Sequence, residues 1–288
     1  MRKRLLPTLS AVVVAALAVA TSLAAPAAPS PAVAPPAKAP LPGLLPRSGE
    51  IDWRKNPFNF IAHAGGSIDG LRYVNSVESV TRSVANGYRL IELDLLETSD
   101  GRFVAGHSWK EIRRMCGLKE RERALSLEQV QECRLLGKYT PLTEKKIVEI
   151  FAGNPSLYLV TDKTADYARL KSAFGGFLDR LLVEVKGIEN YREAVQSGIR
   201  HPMLAVNLDK VPYTSILENG IRFIVIHKKT LVRHEEELAA LRERGVEIFV
   251  ATTDDAEFIG RYIGRSATAF YADGWDLLKG GCSEVCAE

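Results

Sequence analysis

No cysteine precedes Cys116, so the N-terminal region lacks the residue on which a bacterial lipoprotein anchor is built. The chain also lacks a basic excess in the part expected to fold. Its formal charge of +3 comes from Arg2, Lys3 and Arg4; without them, 35 basic residues face 35 acidic ones. A nucleic-acid partner is not expected, because binding to phosphate backbones needs a positive surplus. Apolar runs approaching the length of a membrane span are missing everywhere except residues 5–23. That run follows the three cations, is rich in Ala and Val, and ends at Ser22-Leu23-Ala24, small residues of the kind that precede a cleavage site. Residues 1–24 therefore read as a signal peptide and the protein as secreted and extracellular, with an uncleaved anchor as the alternative. Residues 25–47 are Ala/Pro-rich and read as an unfolded linker. Residues 48–288 remain, enough for one domain with a full core.

The four cysteines form two sequence-local pairs, Cys116 with Cys133 and Cys282 with Cys286. In an exported chain, disulfides are favoured over metal ligation or a reactive thiol. Three connectivities are open and the two local pairings are preferred, although Cys282-Ser283-Glu284-Val285-Cys286 would close a very tight loop.

What is present in abundance is alternation. Short apolar runs at 58–62, 89–95, 158–161, 181–185, 203–206, 223–226, 247–251 and 267–271 read as strands. Helical patterns fall between most of them, at 76–86, 167–174, 190–196, 231–244 and 255–261. Such alternation predicts an α/β fold with a parallel sheet, and eight strands predict a closed (β/α)8 TIM barrel over an open doubly wound sheet. Residues 103–106 read as a short extra strand. Residues 108–140 form a polar, mostly helical insertion after the second strand, stapled by Cys116 and Cys133.

Within the second strand, Glu92-Leu93-Asp94 interrupts an apolar run. Side chains two apart on a strand share a face. Two like charges on one face of a buried strand are costly unless a cation compensates them, and hard divalent metals take such oxygen ligands. His63 and His107 frame the pair and suit acid–base chemistry near neutral pH. Other polar residues fall at strand ends, where barrel enzymes keep their sites: Asp162, Glu184, Lys186, Asn207, Thr252 and Asp273. His227 reads as a barrel-end histidine, and His201 and His234 as surface residues.

With these residues in place, the chain resembles the glycerophosphodiester phosphodiesterase family, within the phosphatidylinositol-phosphodiesterase-like TIM barrels. His63-Ala64-Gly65-Gly66 stands where that family has His-Arg-Gly, and Val74-Asn75-Ser76 where it has Glu-Asn-Thr. Glu92-Leu93-Asp94 matches its Glu-x-Asp, Thr98-Ser99-Asp100-Gly101 its Thr-x-Asp-Gly turn, and His107-Ser108 its His-Asp. The strand-three acid falls on Asp162. The resemblance implies a phosphodiesterase barrel domain with one divalent metal, Ca2+ or Mg2+, on Glu92, Asp94 and Asp162. It makes His63 and His107 the acid–base pair and the substrate a small-molecule or lipid phosphodiester, with peripheral contact to a membrane surface and no oligomeric state implied. Gly65 would let the backbone approach the phosphate; Asn75, Lys163, Glu184, Lys186 and Trp109 are further candidates for substrate contact. Trp109 and Trp275 could flank the mouth, with ordinary core or rim packing an equal alternative.

The departures lie on the cationic side. Ala64 stands in place of the family arginine and Val74 in place of its glutamate. The lysine expected two positions after Asp162 is Thr164, with Lys163 one position early; Lys163 reaches the site only if the strand has already ended. Lys186 is the preferred replacement cation. A sphingomyelinase D-like phospholipase, which lacks that arginine and forms a cyclic phosphate, is the near alternative. A non-catalytic barrel that binds phosphodiesters is the distant one.

Overall fold

The computed structural model describes residues 52–286; the expected signal peptide (1–24) and linker (25–47) lie outside the described residues. The strands of the main sheet are β1 (Phe60–Ala62), β2 (Leu90–Glu97), β3 (Phe103–Ala105), β4 (Tyr158–Asp162), β5 (Leu181–Lys186), β6 (His201–Ala205), β7 (Phe223–His227), β8 (Glu247–Ala251) and β9 (Ala269–Ala272). All but β3 are parallel neighbours, and β1 pairs with both β2 and β9, so eight strands close into a barrel. The short β3 runs antiparallel to the end of β2.

The helices are α1 (Val77–Ala85), α2 (Trp109–Met115), α3 (Leu127–Glu132), α4 (Glu144–Gly153), α5 (Tyr167–Phe174), α6 (Ile188–Gln196), α7 (Tyr213–Glu218), α8 (Lys228–Arg233), α9 (Glu235–Glu243) and α10 (Ala256–Tyr262). Ser76 caps α1 by accepting from Ser79 N–H while the Ser79 hydroxyl accepts from Ser76 N–H, which satisfies two otherwise orphaned donors. The single helix expected over 231–244 is divided into α8 and α9 at His234. Its backbone leaves the helical region (φ −121°, ψ 34°) and its Nε2 lies 2.9 Å from Asp209 Oδ1.

Both faces of each barrel strand are covered, which is why the strands read as nearly continuous apolar runs. Outward residues such as Phe60, Ile91, Leu93 and Leu159 pack under the helices. Inward residues Ile61, Leu90, Val160, Leu182, Met203 and Phe249 fill the barrel. The insertion carries a small core of its own, and the Cys116–Cys133 disulfide closes it; Cys282–Cys286 is the second disulfide.

Two expectations are corrected here. Trp109 does not stand at the mouth. Ser108 caps α2 through Glu111 N–H, and Trp109 is buried with Val104, Ile112, Leu125 and Val130 in the insertion's core. Trp275 stacks on Phe60 at 4.5 Å and donates to Arg54 O, so it too is a packing residue.

Candidate active site

The inward positions change character along the barrel axis. Ile61 is followed inward by His63, Leu90 by Glu92 and Asp94, Val160 by Asp162, Leu182 by Glu184, and Ala269 by Tyr271 and Asp273. Below these the interior is apolar; at the C-terminal mouth it is charged. Parallel register sets Asp94 of β2 beside Asp162 of β4. Oxygens of Glu92, Asp94 and Asp162 consequently lie within 4.8 Å of one another.

Three carboxylates this close repel and are poorly hydrated. Burial first, and then Asp94, push the Glu92 carboxyl well above its usual range, against a 2.8 Å hydrogen bond donated by Ala64 N–H. Burial and Asp94 also raise Asp162, with Lys163 opposing. Asn75 Nδ2 donates to Asp94 at 3.3 Å, while its Oδ1 and that of Asp162 are buried without a hydrogen-bond partner. Glu92 makes no ion pair among the described residues. Hard oxygen donors, two of them unsatisfied, around an excess of negative charge fit a divalent cation.

Lys163 is the cation that reaches this cluster. Its Nζ lies 3.2 Å from Asp94 Oδ1 and 3.3 Å from Asp162 Oδ2. Strand β4 ends at Asp162 and Lys163 takes a positive φ of 68°, which turns its side chain back toward the inward face. Burial alone would lower its ammonium, but Asp162 and Asp94 outweigh it and raise it. Lys186, the cation preferred from sequence, is exposed and lines one cavity together with Asp162, Lys163 and Glu184.

The two histidines sit on either side of Tyr73. Its ring centre is 4.9 Å from that of His63 and 6.1 Å from that of His107. His63 Nδ1 lies 2.8 Å from Asp273 Oδ1, which is itself buried. His107 is half exposed, with Nδ1 3.3 Å from Glu111 Oε2. Glu184 accepts a hydrogen bond from the Tyr271 hydroxyl, and burial lifts its carboxyl to about 7.

Gly65 has a packing reason besides the one expected. Its φ is +79°, and an added Cβ would lie 2.9 Å from Ser79 Oγ and 3.0 Å from Val80 Cγ2. It lets α1 pack closely. Tyr73, Arg72 and the His63–Asp273 contact were not foreseen. Tyr271 and Asp273 share the inward parity of Ala269, a signal that alternation along the last strand carries; the loop residues carry no such signal.

The sequence model of the glycerophosphoryl diester phosphodiesterase family matches residues 63–177. No curated protein matches the chain. Among solved structures, the fold is similar to a putative glycerophosphodiester phosphodiesterase from Galdieria sulphuraria, with 16% identity, 77% of this chain and 96% of that chain covered, and a TM-score of 0.63. A glycerophosphodiester phosphodiesterase from Parabacteroides distasonis is similar at 18% identity, with 75% and 92% covered and a TM-score of 0.62. A phosphodiesterase from Oleispira antarctica, in complex with the product sn-glycerol-3-phosphate, is similar at 14% identity, with 76% and 94% covered and a TM-score of 0.61. At these identities the structures establish the barrel. His63, Glu92, Asp94, His107 and Asp162 all fall inside the segment that matches the glycerophosphoryl diester phosphodiesterase family.

Proposed function

We propose that this protein is a secreted, divalent-metal-dependent hydrolase of glycerophosphodiesters or related phospholipid head-group diesters. The observation that carries the reading is the three-carboxylate cluster lying beneath two histidines that share one tyrosine. Glu92, Asp94 and Asp162 would hold the cation, Ca2+ or Mg2+. When bound, it supplies charge neutralisation and polarisation of the phosphoryl oxygens.

The protein's own groups supply the proton transfers. Asp273 accepts from His63 Nδ1–H, which leaves the lone pair on Nε2 and makes His63 the general base. His63 takes a proton from water as the water oxygen bonds to phosphorus. The bond from phosphorus to the leaving alkoxide breaks, and His107 gives that alkoxide a proton. The products are an alcohol and a phosphomonoester. Lys163, freed from the carboxylates, is the cation within reach of the phosphate. The product bound by the Oleispira protein supports a glycerol phosphate as that monoester.

A lipid substrate is favoured by the rim of the mouth. Leu71, Tyr73, Leu118 and Leu136 are exposed on the loops that flank the two histidines, and Arg114, Lys119, Arg121 and Arg123 of the insertion make no ion pair among the described residues. Apolar tips beside cations suit the surface of an anionic membrane.

The test is release of phosphomonoester from a panel of glycerophosphodiesters and lipid diesters, with Ca2+, with Mg2+ and after chelation, followed by phosphorus NMR. A linear monoester formed only with metal is expected. A cyclic phosphate means attack by an internal hydroxyl and the sphingomyelinase D-like reading. Folded protein that binds diesters but turns none over is a binding barrel.

A further inference from the structure

The His63 half of the site has no cation at the position after the histidine, where Ala64 is buried. A guanidinium nevertheless reaches it from the 67–75 loop. Arg72 Nε, buried and without a hydrogen bond, lies 3.5 Å from Asp273 Oδ2, while Oδ1 of the same carboxylate lies 2.8 Å from His63 Nδ1. Asp273 is almost wholly buried, and a buried carboxylate needs a compensating positive group. A neutral imidazole does not provide one; Arg72 does.

Arg72 is in turn fixed by the end of the chain. Its Nη2 donates to Cys286 O at 2.6 Å. The Cys282–Cys286 loop is seated on the segment that follows Asp273. Ser283 N–H donates to Gly274 O at 3.0 Å, and a Cβ at Gly274 would meet Val285 O at 2.7 Å. Glu284 pairs with Arg82 of α1, and Ser67 Oγ donates to its other oxygen at 3.5 Å. Ser67 N–H also donates to Asp273 O at 2.9 Å. The contacts form one series: disulfide loop, Cys286 carbonyl, Arg72, Asp273, His63.

We propose that Arg72 is a positioning residue for His63, acting through Asp273, and that the C-terminal disulfide loop holds Arg72 in place. A guanidinium is always charged and presents its N–H groups in a rigid fork, so it restrains the second oxygen of Asp273. The first oxygen then stays in line with Nδ1, and the imidazole keeps one ring orientation and one tautomer. The proposal builds on the hydrolase reading, but part of its test needs no turnover.

That part is nitrogen NMR of the imidazoles. His63 should carry its proton on Nδ1 in the wild type and as a mixture of tautomers in Arg72→Ala; an unchanged tautomer overturns the proposal, whether or not a substrate has been found. In turnover, Arg72→Ala should lower kcat by about 10-fold to 100-fold, the usual cost of losing a group that orients a site residue, with KM little changed. Arg72→Lys should recover part of the loss. Cys282→Ser/Cys286→Ser should lower kcat by a smaller factor and add nothing in the Arg72→Ala background. Arg72→Ala should likewise add nothing in the Asp273→Asn background, because residues in one series are not additive. Effects that multiply, or a rise in KM at constant kcat, would show that Arg72 contacts substrate directly. If Arg72→Ala does not fold, Arg72→Gln keeps the apolar stem and a polar head while removing the charge and the reach to Cys286, and it decides by the same readouts.

Discussion

The two histidines of one site stand in unlike surroundings. His63 follows β1, is mostly buried, and meets a buried aspartate at 2.8 Å. His107 follows the short β3, is half exposed, and has only the partly exposed Glu111 at 3.3 Å, one helical turn along its own segment. A carboxylate held by the barrel fixes a ring and its tautomer. One on a neighbouring exposed helix position is screened and mobile, and its interaction with His107 is correspondingly small. The contrast suits a division of labour. A base must be aimed at one water molecule, whereas an acid that reloads from solvent benefits from access to it.

The largest effects should come from removing each ring. His63→Ala should lower kcat by about 10⁴-fold and His107→Ala by about 10²-fold, the two ends of the range for general acid–base groups. A diester with a nitrophenolate leaving group sharpens the comparison, because that anion departs without a proton. It should restore most of the His107→Ala activity and none of the His63→Ala activity; rescue of both would sink the assignment of roles.

Metal removal acts below both histidines and should silence them together. Chelation should abolish turnover, and readdition of Ca2+ or Mg2+ at 100 times its dissociation constant should stabilise the fold by about 2.7 kcal/mol, seen as a rise in Tm. Asp162→Asn should weaken that rise. An identical Tm with and without metal would contradict a cation on these three carboxylates.

The carboxylate partners offer a finer comparison. Asp273→Asn should lower kcat by about 10-fold to 100-fold, while Glu111→Gln should change it by less than about 2-fold. Equal effects would mean that the two rings are held alike.

A separate comparison, of stability rather than turnover, is a pH dependence on the His63 side, where Glu184 lies under Tyr271. Its carboxyl is raised from 4.5 to about 7, so the folded state favours the neutral form. The stability this provides is fully present below pH about 4.5 and is lost as pH rises through about 7. Metal-free protein should therefore lose on the order of 3 kcal/mol across that window, and Glu184→Gln should flatten the loss. Thermal melts between pH 4 and pH 8 measure it; a Glu184→Gln variant with the wild-type slope would assign the slope to other groups.

Much of the barrel was legible because alternation along a strand is a local property. Leu90, Glu92 and Asp94 share a face whatever lies beside them, so the switch from apolar to charged along one strand could be read directly. The disulfides, the stapled insertion and the extra antiparallel strand were legible for the same reason: each joins residues near in sequence. Lys163 was not, since its usefulness turned on whether β4 ended one residue earlier. That residue is also where Lys163 joins Lys186 as a cation beside Asp162. Trp109 was misplaced because a tryptophan beside a candidate histidine looks like a pocket wall, and only the packing of α2 on Val104, Leu125 and Val130 shows otherwise.

The sequence by itself determined the strand faces, the acidic pair on β2, the histidines that frame it and, through them, the resemblance carried by residues 63–177. Only the tertiary structure decided how these groups are held. Barrel closure makes β1 a neighbour of β9, and so brings Asp273 to His63 across 210 positions of sequence. A left-handed backbone turn brings Lys163 to the carboxylates, and a disulfide loop at the chain's end brings a carbonyl to Arg72. The physical reason is common to all three. Periodicity specifies which way a side chain points, but the partner it meets depends on which distant segment the closed barrel places beside it.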